Sequence, residues 1–262
     1  MANIKVSVMN GSTVLTDVQI REIIPALQAQ VHQDFARVWG IDADLAFVPS
    51  GASPTLGSWW LGVFDNSDQA GALGYHDVTS EGLPLGKVFA GSDIQAGLSW
   101  TVTASHELLE MLADPEINLS VMVDNGDGTN TLYAYEVCDA CEADTFAYRI
   151  ENVLVSDFVY PAWFESFQKA GSAQFDQMRH MTKPFQLLQG GYIGVYNIQR
   201  GSGWTQLTAQ EGALTYRMRP PVGSRRERRR TPRKYWMISA PRSESAKASA
   251  KAAQRGTSDQ RR

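Results

Sequence analysis

The segment "SHELLEMLADP" (residues 105–115) places three ionisable side chains among apolar residues whose spacing predicts a helix. On an α-helix, His106 and Glu110 lie one turn apart and point about 40° apart around the axis, so both can reach one cation. Glu107 projects beside that face, where it could reach a water molecule at the cation. Because burying such groups is costly unless they are paired or bind a metal, the pattern favours a metal site. The alternative is an ordinary His–Glu pair on a half-exposed helix.

A third ligand must come from elsewhere, because a catalytic zinc ion usually has three protein ligands and one open position. The segment "YAYEVCDACEAD" (133–144) is the best source, since a hairpin could return it beside the helix. Glu136 is the first candidate, and Asp139 could accept a hydrogen bond from the distal nitrogen of His106. Competing candidates for the third ligand are Asp139 itself, Glu142, Asp144 and His180.

Together, "SHELLEMLADP" and "YEVCDAC" resemble the zincin metallopeptidases, especially the gluzincin branch, in which a downstream Glu completes the ligand set. They are also similar to uncharacterised bacterial and phage proteins with an S-H-E-L-x-E-x-x-x-D-P pattern and a later E-x-x-D, and more faintly to plant phosphate-induced proteins. The motif-bearing span is about residues 86–165, and the N-terminal segment "TDVQIREIIPALQAQVHQDFARVWG" (16–40) also fits the bacterial group. The resemblance implies a hydrolase acting on peptides or proteins, with zinc bound by His106, Glu110 and Glu136 and with Glu107 as general base.

The chain departs from H-E-x-x-H by having Glu110 where the second His would stand. One His and two carboxylates cancel the charge of Zn²⁺, whereas two His and one Glu leave a net positive centre that acidifies water more strongly. Slow hydrolysis, a harder metal such as Mn²⁺ and a purely structural ion are therefore alternatives. A further donor to the transition-state oxyanion could be His180 or Tyr160, although Tyr160 could equally pack in the core.

Charge divides the chain into two parts. Residues 217–262 hold 15 of the 24 Lys and Arg but 3 of the 28 Asp and Glu, so their net charge is +12 and that of residues 1–216 is −16. This composition predicts a folded domain at 1–216 and a disordered basic tail at 217–262. The tail, with "RRERRR" (225–230), could contact nucleic acid or an acidic partner. A non-catalytic, metal-stabilised binding or assembly protein is therefore the alternative function.

The remaining patterns predict an α+β fold with several strands on either side of one central helix at 95–113. The resemblance implies the zincin-like arrangement, in which a mixed sheet packs on this helix. A helix at 18–38 with Asp17 as N-cap precedes it. The segment "GKVFAG" (86–91) is a candidate edge strand, and the resemblance to zincins implies that such a strand pairs with an extended peptide substrate. "DNGDGTN" (124–130) is expected to be a hairpin turn rather than a calcium loop.

Neither a secretory signal nor an apolar run of about 20 residues is visible, which favours a cytoplasmic protein without a membrane span. Cys138 and Cys141 are too few for a disulfide framework or a Cys₄ zinc site, and are expected to be reduced, partly buried thiols.

Overall fold

The computed structural model describes residues 4–68, 72–201, 203–210 and 213–218. It contains two five-stranded sheets, a two-stranded sheet and few helices, which confirms the predicted α+β class. The predicted basic tail lies outside these residues except for its first two positions, so its disorder and its nucleic-acid contacts stay predictions. Within the described ranges, no helix has both the length and the apolar character that crossing a bilayer requires.

The first sheet is mixed and has the spatial order β2-β1-β3-β5-β4. Four of its strands run parallel, and β4 runs antiparallel to β5 at one edge. The segment "GKVFAG" belongs largely to β5, which lies between β3 and β4, so the expected edge strand is interior and β4 occupies the edge. The strands are β1 (Ile4–Asn10), β2 (Ala43–Val48), β3 (Trp59–Phe64), β4 (Gly74–Val78) and β5 (Pro84–Phe89).

The second sheet is antiparallel throughout and has the order β12-β11-β10-β7-β6. As predicted, "DNGDGTN" joins β6 to β7: Gly126 and Gly128 have φ of 75° and 82°, and Asp127 accepts the Thr129 amide hydrogen bond. The strands are β6 (Ser120–Asp124), β7 (Asn130–Ala134), β10 (Tyr192–Asn197), β11 (Thr205–Gln210) and β12 (Ala213–Met218); β8 (Tyr148–Ile150) and β9 (Val153–Val155) form a separate hairpin.

The predicted helix at 18–38 is three consecutive helical segments. Its N-cap is Thr16 rather than Asp17, because the Thr16 hydroxyl accepts from the Gln19 amide while the Gln19 side chain accepts from the Thr16 amide. In the π-helical segment, buried Gln30 accepts a hydrogen bond from Ser105 of the motif segment, which ties the two parts of the chain together. The segments are α1 (Asp17–Ala29), a π-helix (Gln30–Phe35) and α2 (Ala36–Trp39).

The helix predicted at 95–113 is divided into α3 (Ala90–Ala96) and α4 (Trp100–Ala113). Gly97, with φ of 74°, ends α3 in the left-handed conformation that glycine adopts without strain. Helix α4 carries the whole motif, ends before Pro115 as predicted, and packs against β3, β4 and β5 on one side and β9 on another. It is thus a central helix enclosed by strands, and its ionisable residues are positioned inside the protein.

Candidate metal centre

The three ionisable residues of the α4 motif are all buried: His106, Glu107 and Glu110 are 7%, 5% and 2% exposed. The alternative interpretation, a His–Glu pair on a half-exposed helix, is therefore wrong. Burial of this kind requires partners, because an isolated charge inside a protein is costly. Glu110 lies at the centre of those partners.

One group of possible ligands contains His106, Glu110 and Asp139, whose donor atoms all lie within 4.8 Å of one another. The Nε2 atom of His106 is 3.3 Å from Oε1 of Glu110 and 3.4 Å from Oδ1 of Asp139. Both carboxylates face the same imidazole nitrogen, so Asp139 stands beside the possible ion. Of the two roles expected for Asp139, this position fits a metal ligand rather than an acceptor from the distal nitrogen of His106. The short 3₁₀ helix at Asp139–Cys141 brings Asp139 to the ligand side.

A second group contains His76, Glu110 and Glu136, with donor atoms again within 4.8 Å of one another. His76 comes from β4 and is fully buried; its Nδ1 is 3.5 Å from Oε2 of Glu110, and its Nε2 is 3.6 Å from Oε2 of Glu136. Glu136 was predicted to share an ion with His106, but the structure groups it with His76. Sequence reasoning missed His76 because no local motif surrounds it, and only the pairing of β4 with β5 brings it to the helix.

Glu107 fits into a space that the first sheet leaves open for it. A methyl group on Gly74 of β4 would lie 2.6 Å from Oε1 and 2.7 Å from Cγ of Glu107, closer than real contacts allow. Its other oxygen, Oε2, makes no hydrogen bond with any described residue and lies 3.8 Å from Nδ1 of His76. A buried carboxylate oxygen in this state is poised to accept a proton or to face a cation.

The site as a whole is negatively charged. It joins the carboxyl groups of Glu107, Glu110, Glu136 and Asp139 to only two imidazoles, and the buried residues that the structure describes include no Lys or Arg. Even with both imidazoles protonated, carboxylates outnumber positive charges. Because this imbalance inside a protein must be compensated, the residues present fit one or more metal cations.

Without a metal, His106 and Glu110 of the first group stabilise each other's charged forms. Burial alone would lower the pKa of His106, but the charge of Glu110 and hydrogen bonds with Asp139 and Glu110 raise it well above its usual value. Burial acts to raise the pKa of Glu110, yet His106 holds it well below its ordinary range. Burial and then the charge of Glu110 raise the pKa of Asp139 to about 6. Metal binding must therefore displace a proton from His106.

Two other candidates from the 133–144 segment have different surroundings. Burial, opposed by His106 and reinforced by the neighbouring carboxylates, raises the pKa of Glu142 to about 7, which indicates that it borders the centre. Asp144 instead accepts a hydrogen bond of 2.8 Å from the amide of Ser99, the N-cap of α4. It thus helps to satisfy the start of the motif helix, where a carboxylate is favoured.

The two predicted oxyanion donors lie in another polar group. Nδ1 of His180 is 3.4 Å from Oδ2 of Asp157 and 3.6 Å from Oδ2 of Asp176. The Tyr160 hydroxyl donates to Gln177 at 2.7 Å, and its ring stacks on that of Phe158. These contacts explain both side chains as part of the 157–180 segment, and a role for them in catalysis stays a prediction. Tyr192, which sequence reasoning missed, is hydrogen-bonded to Asp139 and is the nearer hydroxyl to the centre.

Cys138 and Cys141 are free and buried, which confirms the prediction of reduced thiols. Burial raises the pKa of both thiols well above the ordinary value, and this disfavours the thiolate that metal binding and redox exchange require. The amide of Cys138 donates to Oε1 of Glu110 at 3.3 Å. This part of the chain therefore supports the centre through its backbone.

Comparison with family models, curated proteins and solved structures finds no match to this chain. What the structure itself defines is an α+β protein with buried His, Glu and Asp groups whose geometry could hold a metal ion. The resemblance to zincins consequently depends on the motif residues alone and stays an expectation.

Proposed function

We propose that this chain is a metal-dependent hydrolase of zincin type, and that its substrates are peptides or proteins. The ion is held by His106, Glu110 and Asp139, and Glu107 is the general base. The observation that carries the proposal is the buried Glu107 carboxylate, which has one oxygen without a hydrogen-bond partner among the described residues. This oxygen lies 3.8 Å from Nδ1 of His76, and His76 in turn contacts Glu110.

The donor set suits zinc and also harder ions. Zinc accepts imidazole nitrogen and carboxylate oxygen, while a larger share of oxygen ligands increases the preference for ions such as Mn²⁺. Zinc remains the first choice because of the motif, and Mn²⁺ is the alternative that the carboxylates favour. Either ion would supply Lewis acidity towards a water molecule and a substrate carbonyl.

Glu107 then provides the proton transfers that amide hydrolysis needs. Its free oxygen accepts a proton from the attacking water, and the same carboxyl returns that proton to the leaving nitrogen. Gly74 leaves the space in which this carboxylate sits, and the surrounding burial excludes bulk water from it. The chain thereby holds the base in one place before the substrate arrives.

The position of β4 favours an extended peptide as substrate. β4 is at the edge of the first sheet, and it carries both Gly74 and His76 to the centre. A peptide that added to this edge through main-chain hydrogen bonds would run alongside the ionisable groups. In this proposal β4 takes the role that the sequence suggested for "GKVFAG".

The test combines metal analysis with an activity screen. Purified full-length protein should contain a stoichiometric divalent transition metal, and it should cleave members of a broad peptide library in a reaction that a chelator stops and the metal restores. Absence of stoichiometric metal after loading with Zn²⁺ and with Mn²⁺ would overturn the proposal. Metal binding without cleavage would support the non-catalytic alternative.

A further inference from the structure

Glu110 offers its two oxygens to two different sets of residues. Oε1 lies 3.3 Å from Nε2 of His106, and Oε2 lies 3.5 Å from Nδ1 of His76. The other two carboxylates divide in the same way: Asp139 belongs to the ligand group of His106, and Glu136 belongs to that of His76. Each set has one imidazole, one carboxylate of its own and one oxygen of Glu110, with one donor atom from each residue and all donor atoms within 4.8 Å of one another. In the second set Glu110 faces Nδ1 of His76 and Glu136 faces Nε2, so an ion there would bind one of these two nitrogens.

We propose that the centre binds two divalent ions bridged by Glu110, one held by His106 and Asp139 and the other by His76 and Glu136. This inference deepens the proposed function, on which its catalytic meaning rests. Carboxylate-bridged pairs of ions, about 3.5–4 Å apart, are a recurrent arrangement in hydrolytic enzymes. The second ion requires no residue beyond those already buried at the site.

A single ion does not use the site fully. In the described part of the chain, the two imidazoles fall into separate ligand groups, so one ion reaches His106 or His76 together with its carboxylates. One ion would therefore leave the other imidazole with carboxylates but without metal. Two ions give each set a cation.

Charge balance points the same way. With neutral imidazoles, as metal binding requires, the four carboxylates of Glu107, Glu110, Glu136 and Asp139 carry a charge of −4. One divalent ion leaves −2, or −1 if the imidazole without an ion carries a proton, in a buried region where the described residues contribute no Lys or Arg. Two divalent ions bring the sum to zero, which avoids the cost of uncompensated buried charge.

Glu107 supplies an independent observation. Its Oε2 atom, unpaired among the described residues, lies 3.8 Å from Nδ1 of His76 and therefore adjoins the second ligand set. A cation in that set would give this oxygen an electrostatic partner. It would also place the general base beside the second ion.

The experiment measures metal stoichiometry in the full chain. The protein is stripped, loaded with Zn²⁺ or with Mn²⁺, desalted and subjected to elemental analysis. We expect two ions per chain in the wild type and one in His76→Gln. His32→Gln is the matched control, because His32 lies in the π-helical segment and its Nδ1 contacts Asp42 at the surface; this variant should keep two ions.

Electron paramagnetic resonance of the Mn²⁺-loaded wild type gives a second readout that does not depend on how well His76→Gln folds. Two ions bridged by one carboxylate are magnetically coupled, so the spectrum should differ from that of isolated Mn²⁺. One ion per chain with an isolated-ion spectrum would overturn the inference and leave the proposed function in place. No bound ion would overturn both.

Discussion

The Nδ1 atom of His76 lies 3.5 Å from Oε2 of Glu110, so an edge strand and a central helix meet through ionisable side chains. This contact makes the register of β4 part of the site. Side chains alternate between the two faces of a strand, so a slip of one residue would turn His76 away from Glu110. The pairing of His76 with Gly86 in β5 is therefore as important for the centre as the spacing within α4.

Replacing Glu107 by Gln tests the general base. Gln keeps the shape that fits against Gly74 but does not accept the proton, so we expect kcat to fall by about 10²–10⁴-fold while metal content is unchanged. Peptide hydrolysis and elemental analysis measure the two quantities. Glu22→Gln, on the exposed surface of α1, is the control and should behave as the wild type. Full activity in Glu107→Gln would exclude Glu107 as the base.

Replacing Gly74 by Ala tests the space that holds Glu107. The new methyl group would meet Oε1 of Glu107 at 2.6 Å, so the carboxylate must move and we expect kcat to fall by about 10²-fold with bound metal retained. Gly62→Ala is a matched control in β3, since its methyl group would meet the Phe64 ring at the same 2.6 Å. Equal losses of kcat in both variants would show a general effect on the sheet rather than displacement of Glu107.

Removing the metal should destabilise the fold. The ion neutralises buried carboxylates, and a ligand present at about 100 times its Kd stabilises the folded state by about 2.7 kcal/mol. In a chain of this size that corresponds to a fall in Tm of about 5–10 °C on chelation. Calorimetry with and without chelator measures the shift. Glu110→Gln, which removes the shared ligand, should show little further change on chelation; a shift of wild-type size would place the stabilising ion elsewhere.

Asp157 should make stability depend on pH. Burial, then the hydrogen bond with Asp176 and its charge, raises the pKa of Asp157 to about 8. Between about pH 4 and that value, the folded state holds a proton that the unfolded state releases, so stability falls as pH rises through this window. Asp157→Asn carries the hydrogen permanently and should remove this fall, gaining stability over the wild type near pH 8.5.

Urea unfolding at about pH 5 and about pH 8.5 measures the effect, since one pKa unit corresponds to about 1.4 kcal/mol. Asp127→Asn is the control because Asp127 lies in the exposed β6–β7 turn, and hydrogen bonds from Thr129 lower its pKa. It should leave the slope between these two pH values unchanged. If the free energy of unfolding changes equally between these two pH values in the wild type and in Asp157→Asn, then Asp157 does not hold the proton in the folded state.

Local spacing was sufficient to predict that His106 and Glu110 share a face, because one turn of helix fixes their geometry. It could also propose Glu136 and Asp139, since both follow a strand that can return to the helix. It could not assign each carboxylate to an imidazole. That assignment depends on where the chain turns after β7 and on the short 3₁₀ helix at Asp139, and these are set by tertiary packing.

The features that the sequence did not predict show the same difference between local spacing and tertiary packing. His76 has no neighbouring motif, and its role arises from the position of β4 beside α4, which no short segment encodes. The break between α3 and α4 did have a local signal in Gly97, but the helix predicted from about residue 95 ran through this glycine. Long-range placement thus accounts for His76, whereas an overlooked cap accounts for the helix boundary.

The complete burial of Cys138 and Cys141 gives the protein an internal reporter of opening. Alkylating reagents can reach these sulfurs only when the region around the 3₁₀ helix separates from the core. The rate of labelling at these two cysteines therefore records how often that region opens, without an added probe. Since the same segment carries Asp139, ions that bind at the centre should slow the labelling in proportion to their affinity.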